Sequence, residues 1–169
     1  MRKSLIIFIV ALSLFGCLAS PEKPTFPESP YAFSEIHTKL NEMAAYYDQA
    51  RETLKKRYEA GEIGGATWAY LQEVDSFFSE KLSETVINVN DIYDPGYDWK
   101  NTLAVLVEIL QVAAPVIDMA AGTPISTSIA TAIKIGTGLL SRHTKREINR
   151  EDSRRLVVLK WYTKAILKP

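Results

Sequence analysis

The residue with the clearest chemical potential is Cys17, the single cysteine of this 169-residue chain. It lies at the end of an apolar run, Leu5–Phe15, which Arg2 and Lys3 precede. This run is too short to span about 30 Å of hydrocarbon, so it predicts a removable export signal rather than a permanent helix. A thiol at the end of such a signal indicates a site of lipid attachment.

The residues Leu14-Phe15-Gly16-Cys17 resemble the lipobox of bacterial lipoprotein precursors. In that family a small residue precedes a cysteine that is acylated, for example with palmitate, and that becomes the mature N-terminus. The resemblance implies that residues 1–16 are a signal peptide and that Cys17 carries the lipid. It also implies an outer-membrane protein facing the periplasm if the host has two membranes, because Leu18 stands where an aspartate would favour inner-membrane retention.

Two other interpretations of the N-terminus remain open. The residues Cys17-Leu18-Ala19 fit the small-x-small pattern of ordinary signal cleavage, which would release Ser20 as a soluble N-terminus. Alternatively, the apolar run stays as an uncleaved anchor. The lipid interpretation is favoured because the cysteine stands directly at the end of the run.

Residue types suited to catalysis are present but poorly grouped. The two histidines, His37 and His143, are more than a hundred residues apart and have no partner at ligand spacing. Gly61, Gly64 and Gly65 lack the lysine and hydroxyl of a phosphate-binding loop. We therefore expect a protein that is not an enzyme and that has no cofactor.

Oxygen ligands for calcium are concentrated in residues 88–98. The cluster consists of Asn88, Asn90, Asp91, Asp94 and Asp98. Its spacing omits the loop glycine and the terminal glutamate of an EF-hand, so a plain turn is favoured and no metal site is expected.

Charge is distributed unevenly, although the net charge is zero. Residues 21–100 contain fifteen acids and eight bases, whereas residues 142–169 contain nine bases and three acids. This asymmetry indicates a partner or a membrane surface. The processed chain has the size of one domain, and it has no disulfide, so packing must stabilise it.

Prolines at every third position mark residues 17–33 as a tether behind the lipid. They are Pro21, Pro24, Pro27 and Pro30. Proline fixes φ and lacks the amide proton, so an extended polyproline-like segment is expected.

Residues 34–100 predict an acidic helical hairpin followed by a turn. Ser34 is the expected cap of its first helix, Gly61 ends that helix, and a second helix runs from about Ala66 to residue 86. Apolar residues alternate four and three positions apart along a coiled-coil-like seam: Ile36, Leu40, Met43, Tyr47, Ala50 and Leu54. The seam would engage its own bundle or the helix of a protein partner, including a second copy.

Residues 101–141 predict an apolar helical hairpin. Its second helix is expected after the cap Thr123 and the first-turn Pro124, and it continues to about Ser141. Small residues at four-residue spacing would let a neighbouring backbone approach closely: Ser128, Ala132 and Gly136.

This apolar hairpin has two interpretations. Its lengths suit a membrane, but Glu108, Asp118 and Lys134 would each cost about 2.5–3.5 kcal/mol near the bilayer centre. The hub of a soluble bundle is therefore favoured, with membrane association as the alternative.

Residues 142–169 predict a basic amphipathic helix that starts at a capping box, Thr144–Glu147. Lys160, Lys164 and Lys168 line one face, which makes anionic lipid headgroups a candidate partner. A solvated helix packed on the bundle is the simpler interpretation. Export makes nucleic acid an unsuitable partner.

The combination of a lipidated N-terminus and a basic C-terminus resembles the single-chain spanins of bacteriophages, which join the inner and outer membranes during lysis. That resemblance implies a span within 101–141, although the spanin helix is terminal and this one is internal. It defines a membrane-bridging or membrane-disrupting alternative.

Together these patterns predict an all-α protein, a small bundle of four or five helices. The expected function is that of a lipid-anchored envelope lipoprotein that acts by display or protein–protein interaction. A second alternative is a bundle that carries a small amphiphile in the apolar hairpin.

Overall fold

The computed structural model describes residues 33–90, 99–122, 126–140 and 148–168. Within these ranges the chain forms five α-helices and no β-strand, which confirms the predicted all-α bundle. The helices are α1 (Phe33–Glu59), α2 (Gly65–Asn90), α3 (Trp99–Ala121), α4 (Ser126–Leu139) and α5 (Arg150–Ile166).

Several predicted features lie outside the described residues. They are the signal peptide 1–16, Cys17, the tether up to residue 32, Asp91, Asp94, Asp98, Thr123, Pro124, His143 and the capping box Thr144–Glu147. The predictions made for them remain predictions.

Helix α3 is the hub of the bundle. It contacts each of the other four helices, and 15 of its 23 residues are buried. Among the described residues it is the one helix long and apolar enough to cross a membrane, and 61% of its apolar window is buried inside the bundle. Most of α3 packs against protein, and one stripe, formed by Gln111, Pro115 and Met119, is exposed.

Helix α1 buries the predicted seam in the core of its own bundle. Ile36, Leu40 and Met43 have no exposed surface, and Tyr47 and Leu54 are each 5% exposed. The helix already includes Phe33, so Ser34 lies in its first turn and is not its cap. Gly61 has φ +77°, which confirms that a left-handed glycine ends this helix.

Helix α4 ends at Leu139. Its 14 residues, Ser126–Leu139, cover about 21 Å at 1.5 Å per residue, which is less than the thickness of the hydrocarbon layer. This end is close to the one predicted at about Ser141, which itself lies outside the described residues. This helix packs against α1 and α3 instead.

Two other predicted boundaries need correction. Helix α2 continues to Asn90, so Asn88 lies inside a helix and not in a turn. Helix α5 begins at Arg150, later than the capping box predicted. Asn149 is its actual N-cap, because the side chain of Asn149 accepts a hydrogen bond from the backbone N–H of Asp152.

The position of α5 distinguishes it from the other helices. It packs against α3 and α2, and within the described parts of the chain it contacts neither α1 nor α4. Only one stripe of α5 is buried, formed by Asp152, Leu156, Leu159 and Thr163. A broad face of this helix is consequently left to the solvent.

Candidate functional site

A buried ion cluster fixes the N-terminal half of α5. The ammonium Nζ of Lys81 on α2 lies 3.0 Å from Oδ1 of Asp152 and 2.6 Å from Oε2 of Glu84. The Lys81 and Asp152 side chains are only 6% and 4% exposed. Burial by itself would lower the pKa of Lys81, but its bonds to Glu84 and Asp152 raise that pKa, so the ammonium stays charged.

Arg155 forms a second link between α5 and α2. Its guanidinium lies 2.6 Å from Glu80 and 3.2 Å from Glu73, and its Cζ lies 3.7 Å from the centroid of the Phe77 ring. The hydrogen bond from Arg155 lowers the pKa of Glu80. The planar guanidinium can use its edge for the carboxylates and its face for the ring.

A buried hydroxyl pair holds the C-terminal half. The hydroxyls of Tyr70 on α2 and Thr163 on α5 are 2.7 Å apart. The Thr163 hydroxyl also lies 2.9 Å from the carbonyl oxygen of Leu159 and 3.3 Å from that of Val112 on α3. Burial raises the pKa of Tyr70, which keeps its hydroxyl neutral.

The outer side of α5, which we call the α5 face, combines large apolar side chains with cations. The apolar members, with their exposed fractions, are Val157 (61%), Val158 (50%), Trp161 (64%), Tyr162 (48%) and Leu167 (40%). The cationic members are Arg150, Arg154, Lys164 and Lys168. All four cations are exposed, and none forms an ion pair within the described residues.

An open groove of about 940 Å³ runs along one edge of the α5 face, between α5 and α2. Tyr70 lies in the groove, and its walls include Ala66 and Ala69 on one side and Trp161 and Tyr162 on the other. The Trp161 and Tyr162 rings meet edge to face at 5.0 Å. The lining is mostly apolar, with Glu73, Arg154 and Arg155 also present, so the groove suits a hydrocarbon or aromatic group that carries a polar end.

A smaller cavity of about 270 Å³ lies between α1 and α2. Tyr47 lines it and stacks on Phe78, with 3.9 Å between ring centroids. Asp75 in the same wall is 3.6 Å from Arg51. Burial, together with the charge of Asp75, raises the pKa of Tyr47, so its hydroxyl remains protonated.

The stripe of small residues predicted on α4 consists of Ser128, Ala132 and Gly136. The stripe on α4 packs internally, because Ala132 is fully buried and a Cβ on Gly136 would meet Val107 and Met43. The hydroxyl of Ser128 donates to Oε1 of Gln49 over 3.1 Å. These small residues therefore serve helix packing against α1 and α3.

The three lysines predicted to contact lipid do not act as one set. Lys160 lies 2.6 Å from Glu108 on α3 and so is neutralised within the bundle. Lys164 and Lys168 are exposed on the α5 face. Lys160 therefore differs from its neighbours because α3 presents a carboxylate to that side of α5.

Among the described residues, no group of three histidine, cysteine, aspartate or glutamate side chains is placed to hold a metal ion. Asn88 and Asn90 belong to α2, and His37 is on α1. Comparison with protein-family models, curated proteins and solved structures returned no match for this chain.

Sequence reasoning missed the charge cluster below α5 and two of the cations on its face, Arg150 and Arg154. One signal for the cluster was present. Lys81 follows Phe77 and Phe78 by four and three residues, so it lies on the apolar stripe of α2. A lysine on a buried stripe predicts a carboxylate partner, but it cannot identify Asp152 seventy-one residues later.

Proposed function

We propose that this protein is a lipid-anchored, non-enzymatic envelope lipoprotein that displays a helical bundle at the membrane and acts through the α5 face. Cys17 is the attachment site, and the proline-rich residues behind it are the tether. The proposed location is the outer membrane, facing the periplasm. The lipobox-like residues support the anchor, and the surface of the bundle supports action by interaction.

The uneven distribution of exposed apolar side chains carries this proposal. Of the nine large apolar residues exposed among the described residues, four lie on α5 and a fifth, Leu167, is its C-cap. The other four are scattered over the bundle: Tyr46, Tyr58, Ile87 and Met119. Single exposed apolar residues are common, but a concentrated set on one helix indicates a contact surface.

The α5 face is also firmly supported from below. The Lys81 cluster, Arg155 and the Tyr70–Thr163 pair connect it to α2 along its length. A contact surface on a rigid helix loses little conformational entropy on binding. This support favours a binding role over a helix that is merely solvated.

The lipid anchor is tested by replacing its sulfur. In cells given labelled palmitate, we expect the parent chain to be labelled and to enter the detergent phase, and Cys17→Ser to be unlabelled and to enter the aqueous phase. Ser20→Ala is the matched control and should behave like the parent chain. A mature N-terminus at Ser20, or unchanged partitioning of Cys17→Ser, would contradict the lipid anchor.

The interaction role is tested with a photo-crosslinking residue in the intact envelope. Placed at Val157 on the α5 face, it should give adducts with protein or lipid. Placed at Tyr46 on α1, which is also exposed, it should give few. Equal adducts from both positions would remove the argument for a dedicated surface.

A membrane-bridging function remains the alternative that the spanin resemblance suggests. It requires α3 to leave the core, although 15 of its residues are buried there. Alkaline carbonate should release Cys17→Ser from membranes if α3 stays in the bundle. Retention of that variant would favour a spanning segment instead.

The groove between α2 and α5 favours amphiphile binding as a second candidate function. The sequence predicted that an amphiphile would bind within the hairpin 101–141. The first helix of that hairpin, α3, is mostly buried core, and the groove lies between α2 and α5 instead. Native mass spectrometry of the purified protein should show a retained lipid-sized mass. Ala69→Phe would narrow the groove, so loss of the retained mass in this variant would show that the lipid binds there.

A further inference from the structure

We propose that the α5 face rests on the surface of an anionic bilayer, with Trp161 and Val157 in the headgroup layer and its four cations, Arg150, Arg154, Lys164 and Lys168, on lipid phosphates. This inference depends on the proposed function, because it names the partner of the same face. It commits to a lipid surface. A protein partner is treated as an outcome of the test.

The spacing of the residues places cations around the exposed tryptophan. Val157, Trp161, Lys164 and Lys168 follow one another at intervals of four, three and four residues. At 100° per residue Val157, Trp161 and Lys164 share one side of α5, and Arg154 lies about two turns before Trp161 on that side. Lys168 follows just after the C-cap Leu167. The most exposed aromatic ring of the helix is thus bordered by cations along its axis.

Some charged residues of α5 form ion pairs within the bundle, and others do not. Asp152, Arg155 and Lys160 are neutralised by Lys81, by Glu73 and Glu80, and by Glu108 respectively. Arg150, Arg154, Lys164 and Lys168 have no ion-pair partner among the described residues. Glu151 is the one exposed acid of α5, and it offsets one of these charges. The outward charge is therefore positive, although the chain is neutral overall.

The intermixing of apolar and cationic residues favours a bilayer over a protein groove. A surface that covers Trp161 must also meet Lys164 within one helical turn and Arg154 about two turns away. The bilayer interface provides an apolar layer and an anionic layer within a few ångströms of each other, which is where amphipathic basic helices and tryptophan concentrate. Lysine and arginine near an anionic surface each add to this attraction.

Tryptophan fluorescence can test the contact in the full chain reconstituted in vesicles. Trp161 is isolated by subtracting the signal of Trp161→Phe, since Trp99 is 1% exposed and Trp68 stacks on Tyr58. In vesicles with about 30% phosphatidylglycerol, acrylamide should quench Trp161 severalfold less than in pure phosphatidylcholine. About 0.5 M salt should abolish the difference.

Charge reversal supplies the matched comparison. Lys164→Glu with Lys168→Glu should weaken the protection about tenfold or more, because two attractive cations become repulsive. Lys55→Glu with Lys56→Glu makes the same charge change on α1, which does not contact α5, and should leave the protection intact. Circular dichroism should show that both variants keep their helices, since all four lysines are exposed.

Two results would overturn the inference. One is equal quenching of Trp161 in neutral and anionic vesicles. The other is equal loss of protection in the two charge-reversal variants. If Val157 crosslinks to a protein in the envelope while vesicles give no protection, the lipid partner is wrong and the proposed interaction role stands. If Cys17 is unmodified but vesicles protect Trp161, the anchor is wrong and the α5 face still binds lipid.

Discussion

Lys81 and Asp152 form an ion pair of 3.0 Å between α2 and α5, with both side chains almost fully buried. The two residues carry the opposite charges by which the outermost helix is fixed to the bundle. Because Asp152 also accepts a hydrogen bond from the Asn149 side chain, the pair joins the cap of α5 to the core. The orientation of the α5 face therefore depends on this contact.

Lys81→Met should reduce the free energy of unfolding by about 3–5 kcal/mol, because it leaves the Asp152 carboxylate buried without its cation. Asp152→Asn should cost less, since Lys81 keeps Glu84 at 2.6 Å. Urea denaturation followed by circular dichroism measures both.

The double variant Lys81→Met with Asp152→Leu is the control for this ion pair. It removes both charges together and should recover most of the lost stability, because an apolar pair carries no desolvation penalty. If the double variant is less stable than Lys81→Met alone, the loss of stability comes from poor packing of the new side chains and not from an unpaired charge.

Alkaline pH should destabilise the fold from about pH 10 upwards. The pKa of Tyr47 is raised from 10.0 by burial, and that of Lys81 is raised from 10.5 by its carboxylates, so the folded state keeps protons that the unfolded state loses. Stability is full below the ordinary pKa values and falls as pH rises above them, by about 1.4 kcal/mol per pH unit and group.

Tyr47→Phe should make the free energy of unfolding fall less steeply with pH above about pH 10. The variant lacks the proton that Tyr47 loses in the unfolded state but keeps in the folded state. Tyr46→Phe is the matched control for removing a tyrosine hydroxyl, since the neighbouring Tyr46 is 37% exposed. Unfolding free energies at pH 8, 10 and 11 compare the three proteins. An identical slope in the Tyr47 variant would contradict the assignment.

Gly136→Ala should destabilise the bundle by about 1–3 kcal/mol, because the added Cβ meets Val107 and Met43 where three helices converge. Alanine is the better helix former by about 1 kcal/mol, so a stabilising result would mean that α3 and α1 can shift. Gly65→Ala, at the open start of α2, has nothing within 4 Å of its new Cβ and should be neutral or slightly stabilising. Thermal unfolding distinguishes the two.

Tyr70→Phe and Thr163→Val should each cost about 0.5–1.5 kcal/mol, and together less than the sum, because both remove the same buried hydroxyl contact of 2.7 Å. A double-mutant cycle in urea measures the shared part. Strict additivity would show that the two hydroxyls do not stabilise each other. Tyr58→Phe, on an exposed ring, serves as the reference for removing a tyrosine hydroxyl.

Local sequence patterns predicted well those properties of a helix that depend on its own residues alone. The four-three alternation from Ile36 to Leu54 marked the buried side of α1, and Gly61 marked the end of that helix. Boundaries were less accurate where local signals competed. Asn88 and Asn90 are typical of turns, yet α2 continues through them, with Val89 fully buried beside them.

The composition of α3 was compatible with both a membrane helix and a core helix. Tertiary packing decided for the core, because all four other helices contact α3 and Glu108 reaches Lys160 on α5. The same contact removed Lys160 from the predicted lipid-binding set. No periodicity within either helix contains that information, since the two residues are 52 positions apart.

The sequence by itself determined the all-α class, the apolar seam of α1 and the basic character of the C-terminal helix, because each depends on residues within a few turns of one another. Only the tertiary structure decided which of the described cations form ion pairs, which side of α5 faces outward and that Lys81 meets Asp152. These properties arise from the packing of distant segments, whose geometry depends on the whole core and not on any local pattern.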